Sequence, residues 1–294
     1  MPSSKNKATA LLTGAGGFTG RYLGPALEQQ GYVVDRLDPA GSRPCDLTNR
    51  DAVDEFVLQA RPGVVVHLAG VAFVGHGNAE DFYRVNLLGT LNLLQALAKL
   101  DRAPERVIIA SSANVYGTPD VGMLDESLCP APVNHYACSK LAMEHMVRPW
   151  FSRFPILITR PFNYTGPGQS EDFLVPKIVN HFRKRAPYIE LGNLQVSRDY
   201  SDVEDVIAAY LALLGSNARS EVVNICSGRA IALLDIISMM NQIAGYEIAV
   251  RENPEFVREN EVLRLVGNPT KLRSLVSLPA PRPFSDTLRR MYES

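Results

Sequence analysis

Within His135-Tyr136-Ala137-Cys138-Ser139-Lys140 a phenol and an ammonium stand four residues apart, a spacing that puts two side chains on one face of a helix. Such a pair can run acid-base chemistry. A free tyrosine titrates near 10, so at neutral pH it is a poor base, and it needs a neighbouring cation before it can become phenolate. Lowering that pKa by about three units asks roughly 4 kcal/mol of the lysine and its surroundings. Tyr-x-x-x-Lys also arises by chance on surface helices, so its meaning depends on what else the chain contains.

Thr13-Gly14-Ala15-Gly16-Gly17-Phe18-Thr19-Gly20 follows the apolar run Ala8 to Thr13 and precedes Phe18, Tyr22, Leu23, Ala26 and Leu27 at helical spacing, which Gly31 ends. This is strand, tight turn, helix. Backbone amides and the helix dipole can receive a pyrophosphate there, and Gly14, Gly17 and Gly20 form a variant of the dinucleotide fingerprint, with Phe18 and Thr19 in the same turn. Asp38 ends the second strand, Tyr32 to Leu37, where a carboxylate can accept from an adenosine ribose. That favours NADH, although the same aspartate could simply cap a turn. Arg21, Arg36 and Arg43 are close enough in sequence to receive a 2′-phosphate and leave NADPH open. Ser111-Ser112-Ala113-Asn114-Val115-Tyr116-Gly117 follows a strand ending at Ala110, so its hydroxyls belong at the carboxyl end of the sheet, where ligands bind. Ser112 could instead be a strand-end backbone cap, the lesser reading once Tyr136 and Lys140 are considered with it.

The elements that must position these groups alternate. A helical stretch over 49–60 leads to strand Val64 to Leu68, and long helical segments precede Arg106 to Ala110 and Pro155 to Thr159. The pattern predicts an α/β fold, a doubly wound parallel sheet of Rossmann type. After Pro161, Gly166-Pro167-Gly168, Pro176, Pro187 and Gly192 break the chain into short elements suited to a smaller mixed α/β substrate-binding lobe. The expected bounds are 1–165 for the dinucleotide-binding domain, with 199–225 rejoining it through a helix Asp202 to Leu214 and a strand Val222 to Ile225. The substrate lobe then takes 166–198 and 226–294.

With 294 residues, 46% hydrophobic, 21% charged and a net charge of -1, the chain can bury a large core and has no bulk electrostatic reason to bind nucleic acid or an anionic membrane. A charged metabolite is the expected partner. Cys45, Cys129, Cys138 and Cys226 are widely spaced with no metal-ligand pattern, so no metal is expected and the thiols read as inert in a reducing compartment. The start is short and polar and no stretch approaches the roughly 20 apolar residues of a membrane span, which places the expectation in the cytoplasm. There the glycosylation pattern Asn163-Tyr164-Thr165 has no use.

The glycine turn, the serine strand end and Tyr136/Lys140, in that order and separation, resemble an extended short-chain dehydrogenase/reductase. Tyr83-Arg84-Val85-Asn86-Leu87-Leu88-Gly89-Thr90, Arg160-Pro161-Phe162-Asn163-Tyr164-Thr165-Gly166-Pro167-Gly168-Gln169, and Leu191-Gly192-Asn193-Leu194 with Arg198-Asp199-Tyr200 are similar to the GDP-4-keto-6-deoxy-D-mannose reductases, which act in GDP-D-rhamnose synthesis. Arg258, Glu261-Val262 and Leu265-Val266-Gly267-Asn268 match a C-terminal pattern that these share with GDP-mannose 4,6-dehydratases. The resemblance implies that Ser112 bonds the substrate C4 oxygen, that Tyr136 protonates it, and that Lys140 lowers the Tyr136 pKa and holds the nicotinamide ribose, with hydride from the cofactor. It puts Asp46 and Leu47 by the adenine, Leu68, Ala69, Gly70 and Asn86 along the cofactor, and Asn163, Lys177, Asn193, Arg198, Arg258 and Glu261 on the nucleotide diphosphate and its ribose. It also implies a homodimer through two helices, although Leu87, Leu91 and Leu94 could as well be core.

Two positions depart from the relatives. Where the dehydratases carry the carboxylate that removes the proton alpha to the ketone, this chain has Asn114, and an amide cannot be that base. Dehydration is thereby disfavoured, leaving Asn114 to bond substrate or backbone. In Gly70-Val71-Ala72-Phe73-Val74, Val71-Ala72 replaces an expected Gln-Ser or Gln-Thr and removes a hydroxyl beside the sugar. The expected activity is reduction of GDP-4-keto-6-deoxy-D-mannose. The alternatives are a GDP-6-deoxy-D-talose-forming reductase that delivers hydride to the other face, a nucleotide-sugar 4-epimerase with bound NAD, and a non-catalytic redox-sensing binding protein.

Overall fold

The computed structural model describes residues 8–72, 78–119, 122–257 and 262–294. The strands are β1 (Thr9–Thr13), β2 (Val33–Leu37), β3 (Val64–His67), β4 (Arg106–Ala110), β5 (Ile156–Pro161), β6 (Asn163–Thr165), β7 (Tyr188–Leu191), β8 (Ser197–Asp202), β9 (Glu221–Ile225), β10 (Ala230–Ala232), β11 (Ala249–Glu252) and β12 (Arg264–Leu265). The helices are α1 (Phe18–Gln29), α2 (Arg50–Ala60), α3 (Ala79–Tyr83), α4 (Thr90–Leu97), α5 (His135–Val147), α6 (Leu174–Arg183), α7 (Val203–Leu214), α8 (Leu233–Ala244), α9 (Thr270–Leu275) and α10 (Phe284–Glu293).

A six-stranded sheet in the order β2-β1-β3-β4-β5-β9 is the Rossmann-type core. Strands β3 and β4 are apolar runs buried along nearly their whole length, as a parallel sheet covered on both faces requires. The order reverses between β1 and β3, and it is outside the carboxyl ends at such a switch that ligands bind. Helix ends follow local chemistry. Asn49 Oδ1 accepts from Ala52 N at 3.2 Å to start α2, and Arg61, at φ 44°, ends it. Between α3 and α4 the helix runs on through a π-helical turn, Arg84–Gly89, a form that concentrates at functional sites.

The chain divides into two compact units. The first comprises the described residues up to Ser111 with His135–Arg160 and Tyr210–Val223. Its core joins Leu11, Val53, Phe56, Val65, Leu93, Leu94, Val107 and Ile158, and Leu87 packs against it, so Leu87 and Leu94 serve the interior. The second comprises Pro161–Ala209, Asn224–Ser294 and the segment Ser112–Asn134, in each case the described residues. The sequence pattern assigns 112–134 to the first. Its backbone instead pairs within the second: Leu124 N donates to Val266 O at 2.8 Å, Asn268 N donates to Leu124 O at 2.9 Å, and Tyr116 Oη donates to Asn224 Oδ1 at 2.8 Å.

In the second unit β8 is central, pairing antiparallel with β10 and parallel with β12 and β6, while β11 and β7 form a separate parallel pair. Helices α6 and α8 and the C-terminal α10 close a core around Ile178, Phe182, Ile189, Ile236, Met240 and Leu288. Pro176, which reads as a breaker, lies in the first turn of α6, where a missing N–H costs no helix bond. Among the described residues no helix is long and apolar enough to cross a membrane.

Candidate active site

The glycine turn owes its path to two contacts that side chains would block. Gly14 has φ +69°, and a Cβ on it would stand 2.7 Å from Ala69 N, while one on Gly20 would lie 2.6 Å from Ala15 Cα. The turn is drawn back by Gly17 N donating to Gly14 O at 3.1 Å and opens into α1 at Phe18 and Thr19, with no acidic side chain in the first helical turn. Those first N–H groups and the helix dipole make a site for an anionic group. Asp38 binds the loop itself, accepting from Gly16 N at 2.7 Å and Ala40 N at 2.9 Å. Arg36 pairs with Glu28 at 2.7 Å, and Arg43 donates to Gln59 at 2.8 Å while covering the Phe56 ring. Asp46 caps its own turn through Thr48 N at 2.8 Å, and the buried Leu47 offers its carbonyl to Asn92 Nδ2 at 2.8 Å.

The end of β3 is wired to this turn through a buried histidine that sequence reading missed. His67 Nδ1 lies 2.6 Å from Thr13 Oγ1, and Nε2 lies 2.8 Å from Thr90 Oγ1. Thr90 donates its own proton to Asn86 O at 2.7 Å, so it accepts from His67 Nε2–H. Nδ1 is then the acceptor, served by Thr13, whose oxygen takes Ala69 N–H at 3.2 Å. This assignment satisfies every group with a neutral imidazole. Burial, with Lys140 nearby, pushes the His67 pKa down to about 3. The only sequence signal was a histidine closing an otherwise apolar strand.

Asn86, on the inner side of the π-helical turn, spends its amide on the protein. Oδ1 accepts from Val71 N at 2.9 Å, and Nδ2 donates to Val71 O at 3.2 Å and Ser139 Oγ at 3.0 Å. It is thus a clamp between the Leu68-Ala69-Gly70 strand end and α5. Ser139 in turn donates to Tyr136 O at 2.7 Å. A Cβ on Gly70 would lie 2.7 Å from Asn86 Oδ1 and 3.1 Å from Lys140 Nζ, so glycine is what admits the ammonium here.

Tyr136 and Lys140 lie on α5 as the spacing predicts, and both are buried. The Tyr136 ring packs against Phe82, and Lys140 Nζ donates to Ala110 O at 2.8 Å. Burial pulls the Lys140 pKa down to about 8 while Glu144, one turn on, pulls it up. Glu144 is itself fully engaged, accepting from Ser111 Oγ at 2.6 Å and from Arg160 Nε and Nη2 at 2.9 and 2.6 Å. Burying an ion pair costs desolvation, which the three hydrogen bonds accepted by Glu144 work to offset.

The second unit holds the other candidates. Ser112 caps the 3-10 turn Ala113–Tyr116, so the cap reading is correct as far as it goes. Asn114 donates to Ser112 Oγ from both its backbone N and its Nδ2, at 3.2 and 3.3 Å. Asn163 is exposed on β6, in register with Tyr200. Lys177 Nζ donates to Glu190 O at 3.3 Å and stands 4.5 Å over the Phe256 ring. Asn193 Oδ1 accepts from Gln195 N at 2.9 Å. Arg198 donates through Nη1 to Ser197 O and Leu263 O at 3.1 and 3.0 Å. Asp199 is buried and accepts from Ser227 N and Oγ, Gly228 N and Gly267 N, and Glu204 pairs with Arg282 and Arg290. Arg258 and Glu261, like Phe73 and Val74, lie outside the described residues.

The donor set fits a nicotinamide dinucleotide: a helix N-terminus behind a glycine turn for the pyrophosphate, a carboxylate at the end of β2 for the ribose, and a buried ammonium beside Gly70. Known proteins agree. A GDP-6-deoxy-D-talose 4-dehydrogenase of Aggregatibacter actinomycetemcomitans is 36% identical over 90% of this chain and 90% of its own. A GDP-6-deoxy-D-mannose reductase of Pseudomonas aeruginosa is 34% identical over 89% of this chain and 88% of its own. The solved structure of RMD from Pseudomonas aeruginosa complexed with NADPH superposes with a TM-score of 0.86 at 30% identity, over 98% of this chain and 97% of that one. Residues 10–226 match the family described as the NAD dependent epimerase/dehydratase family. From the glycine turn through Tyr136 and Lys140 to β9, this chain is a member of the NAD dependent epimerase/dehydratase family, the extended short-chain dehydrogenase/reductases.

Proposed function

We propose that the protein reduces the C4 ketone of GDP-4-keto-6-deoxy-D-mannose to GDP-D-rhamnose at the expense of NAD(P)H, with Tyr136 as the proton donor. The observation that carries this reading is the amide at Asn114, on Ser112, where a dehydratase of this family needs a carboxylate base. The names of the two relatives support GDP-linked 6-deoxyhexoses as substrates.

The glycine turn, Asp38 and Lys140 would hold the cofactor, which when bound supplies the hydride. Tyr136 gives its phenolic proton to O4 as negative charge develops there, and the Lys140 ammonium stabilises the phenolate left behind. Ser112 donates a hydrogen bond to the same oxygen. Arg198 and Lys177 meet the diphosphate, for which a guanidinium is the better-shaped donor. Asp38 supports NADH over NADPH, because a carboxylate repels a 2′-phosphate. The partners of Arg36 and Arg43 are exposed, however, and exposed pairs of this kind hold by less than about 1 kcal/mol, so a redirected arginine would admit NADPH.

One second reading has an observation behind it: the talose 4-dehydrogenase among the relatives supports hydride delivery to the other face of C4, giving GDP-6-deoxy-D-talose. Incubating the protein with GDP-4-keto-6-deoxymannose and either NADH or NADPH, with NMR of the sugar, tests both. Stoichiometric cofactor oxidation with a rhamno product supports the proposal and a talo product selects the second reading. Oxidation of neither cofactor, with epimerisation of an unmodified nucleotide sugar, overturns both in favour of a 4-epimerase.

A further inference from the structure

Ser112 and Asn114 carry an arrangement that the sequence does not disclose. A serine hydroxyl has one proton and two lone pairs. At Ser112 both lone pairs face one residue: Oγ accepts from Asn114 N at 3.2 Å and from Asn114 Nδ2 at 3.3 Å. The side chain is buried, and among the described residues of its own unit the hydroxyl proton meets no acceptor. With its acceptor capacity used, the only role left to this hydroxyl is to donate.

We propose that Asn114 is a positioning residue that makes Ser112 an obligate hydrogen-bond donor to the C4 oxygen of the bound sugar. The inference rests on the reading above, in which Ser112 meets that oxygen. Hydride addition turns the ketone into an alkoxide, and a donor whose own oxygen already receives two N–H bonds is polarised towards giving and needs no reorientation as the charge appears. A carboxylate of the same shape at 114 would reverse the direction. It accepts only, so the Ser112 proton would turn to it and the serine lone pairs would face the sugar oxygen. The amide therefore does two things at once: it removes the dehydratase base and it aims the serine.

The test compares Asn114→Asp and Asn114→Ala with the wild type by steady-state kinetics at pH 7.5. Asn114→Asp, which takes the Ser112 proton, is expected to lower kcat about 100-fold, the usual effect of losing one donor to a developing oxyanion, with KM within about threefold. Asn114→Ala leaves the proton free and is expected to lower kcat only about tenfold. Wild-type kcat in Asn114→Asp, or a slower Asn114→Ala than Asn114→Asp, overturns the inference. If the wild type reduces no ketosugar but epimerises one, the reductase reading fails and the same comparison is made on that reaction. Should either variant fold poorly, neutron diffraction on the deuterated wild-type protein decides. A Ser112 deuteron directed away from Asn114 supports the inference, and one directed at Asn114 Oδ1 overturns it.

Discussion

Apart from the buried Ser112, the two units hold the polar side chains of the candidate site in different ways. In the first, Lys140, Glu144, His67, Asn86 and Thr90 are buried: His67, Thr90 and Asn86 form a hydrogen-bonded chain from Thr13 to Ser139 on α5, while Lys140 bonds Ala110 O and Glu144 bonds Ser111 and Arg160. In the second, Lys177 and Arg198 are only half-buried and donate to backbone carbonyls, Asn163 is exposed, and the buried Asp199 serves the loops of Ser227 and Gly267. The first arrangement is rigid and expensive, since every buried charge and amide must be matched. The second is cheap to alter. A family that keeps one reaction centre while changing its sugars would divide labour in this way, chemistry on the buried lattice and selection on exposed side chains.

Measurements at four residues would break or sharpen that contrast. The largest effect is expected at Tyr136: Tyr136→Phe removes the proposed proton donor and should cost about 10² to 10⁴ in kcat, with substrate KM nearly unchanged in steady-state assays. Unaltered turnover would place the chemistry elsewhere.

Lys140→Met should lose about 100-fold in kcat, yet melt no lower than the wild type at pH 7 by calorimetry. The sign follows from linkage. The folded-state pKa of about 8 lies below the ordinary lysine value, so burying the charged form is a cost present in full below about pH 8 and relieved as pH rises towards 10.5, a cost the methionine removes. In the wild type, kcat should correspondingly decline as pH rises through about 8 and the ammonium is lost. A kcat flat to pH 9.5 would contradict a role for that charge.

Arg198→Ala should act on the other side of the divide, raising substrate KM about 10- to 100-fold, the worth of a charge-assisted bond, while kcat stays within threefold. A collapse of kcat alone would show that Arg198 acts at the reacting centre, like Ser112, and not in binding. The smallest effect belongs to His67. Because its folded pKa of about 3 lies below the unfolded value near 6.5, the unfolded chain binds the extra proton as pH falls between them, and stability present above 6.5 is lost by up to about 1.4 kcal/mol per pH unit. Urea melts at pH 7 and 5.5 should show a smaller drop for His67→Gln than for the wild type. Equal drops would mean that His67 takes up its proton as readily folded as unfolded.

Much of this was legible in the residues. The spacing of Tyr136 and Lys140, the glycine turn, and the strands from β1 to β5 followed from local periodicity, which needs only neighbours in sequence. Helices α6 and α8 escaped because Pro176 reads as a stop, although in a first helical turn it is harmless, and because the short spacing of Pro and Gly after 161 suggested smaller pieces. His67, Asn86 and Asp199 could not be given their roles, since each depends on partners 15 to 68 residues away in the chain. The grouping of 112–134 with the second unit was hidden for the same reason: strands that pair across more than a hundred residues leave no local period.

By itself the sequence determined the parallel α/β core, the placing of a phenol and an ammonium on one helical face, and the absence of a carboxylate at 114, because these are matters of spacing and residue type. Only the tertiary structure decided that Lys140 is buried beneath Ala110 O, that His67 is neutral between two threonines, and that Asn114 turns both its N–H groups on Ser112. Protonation and hydrogen-bond direction depend on what surrounds a group in space, and a side chain's type says only what it is able to give or accept.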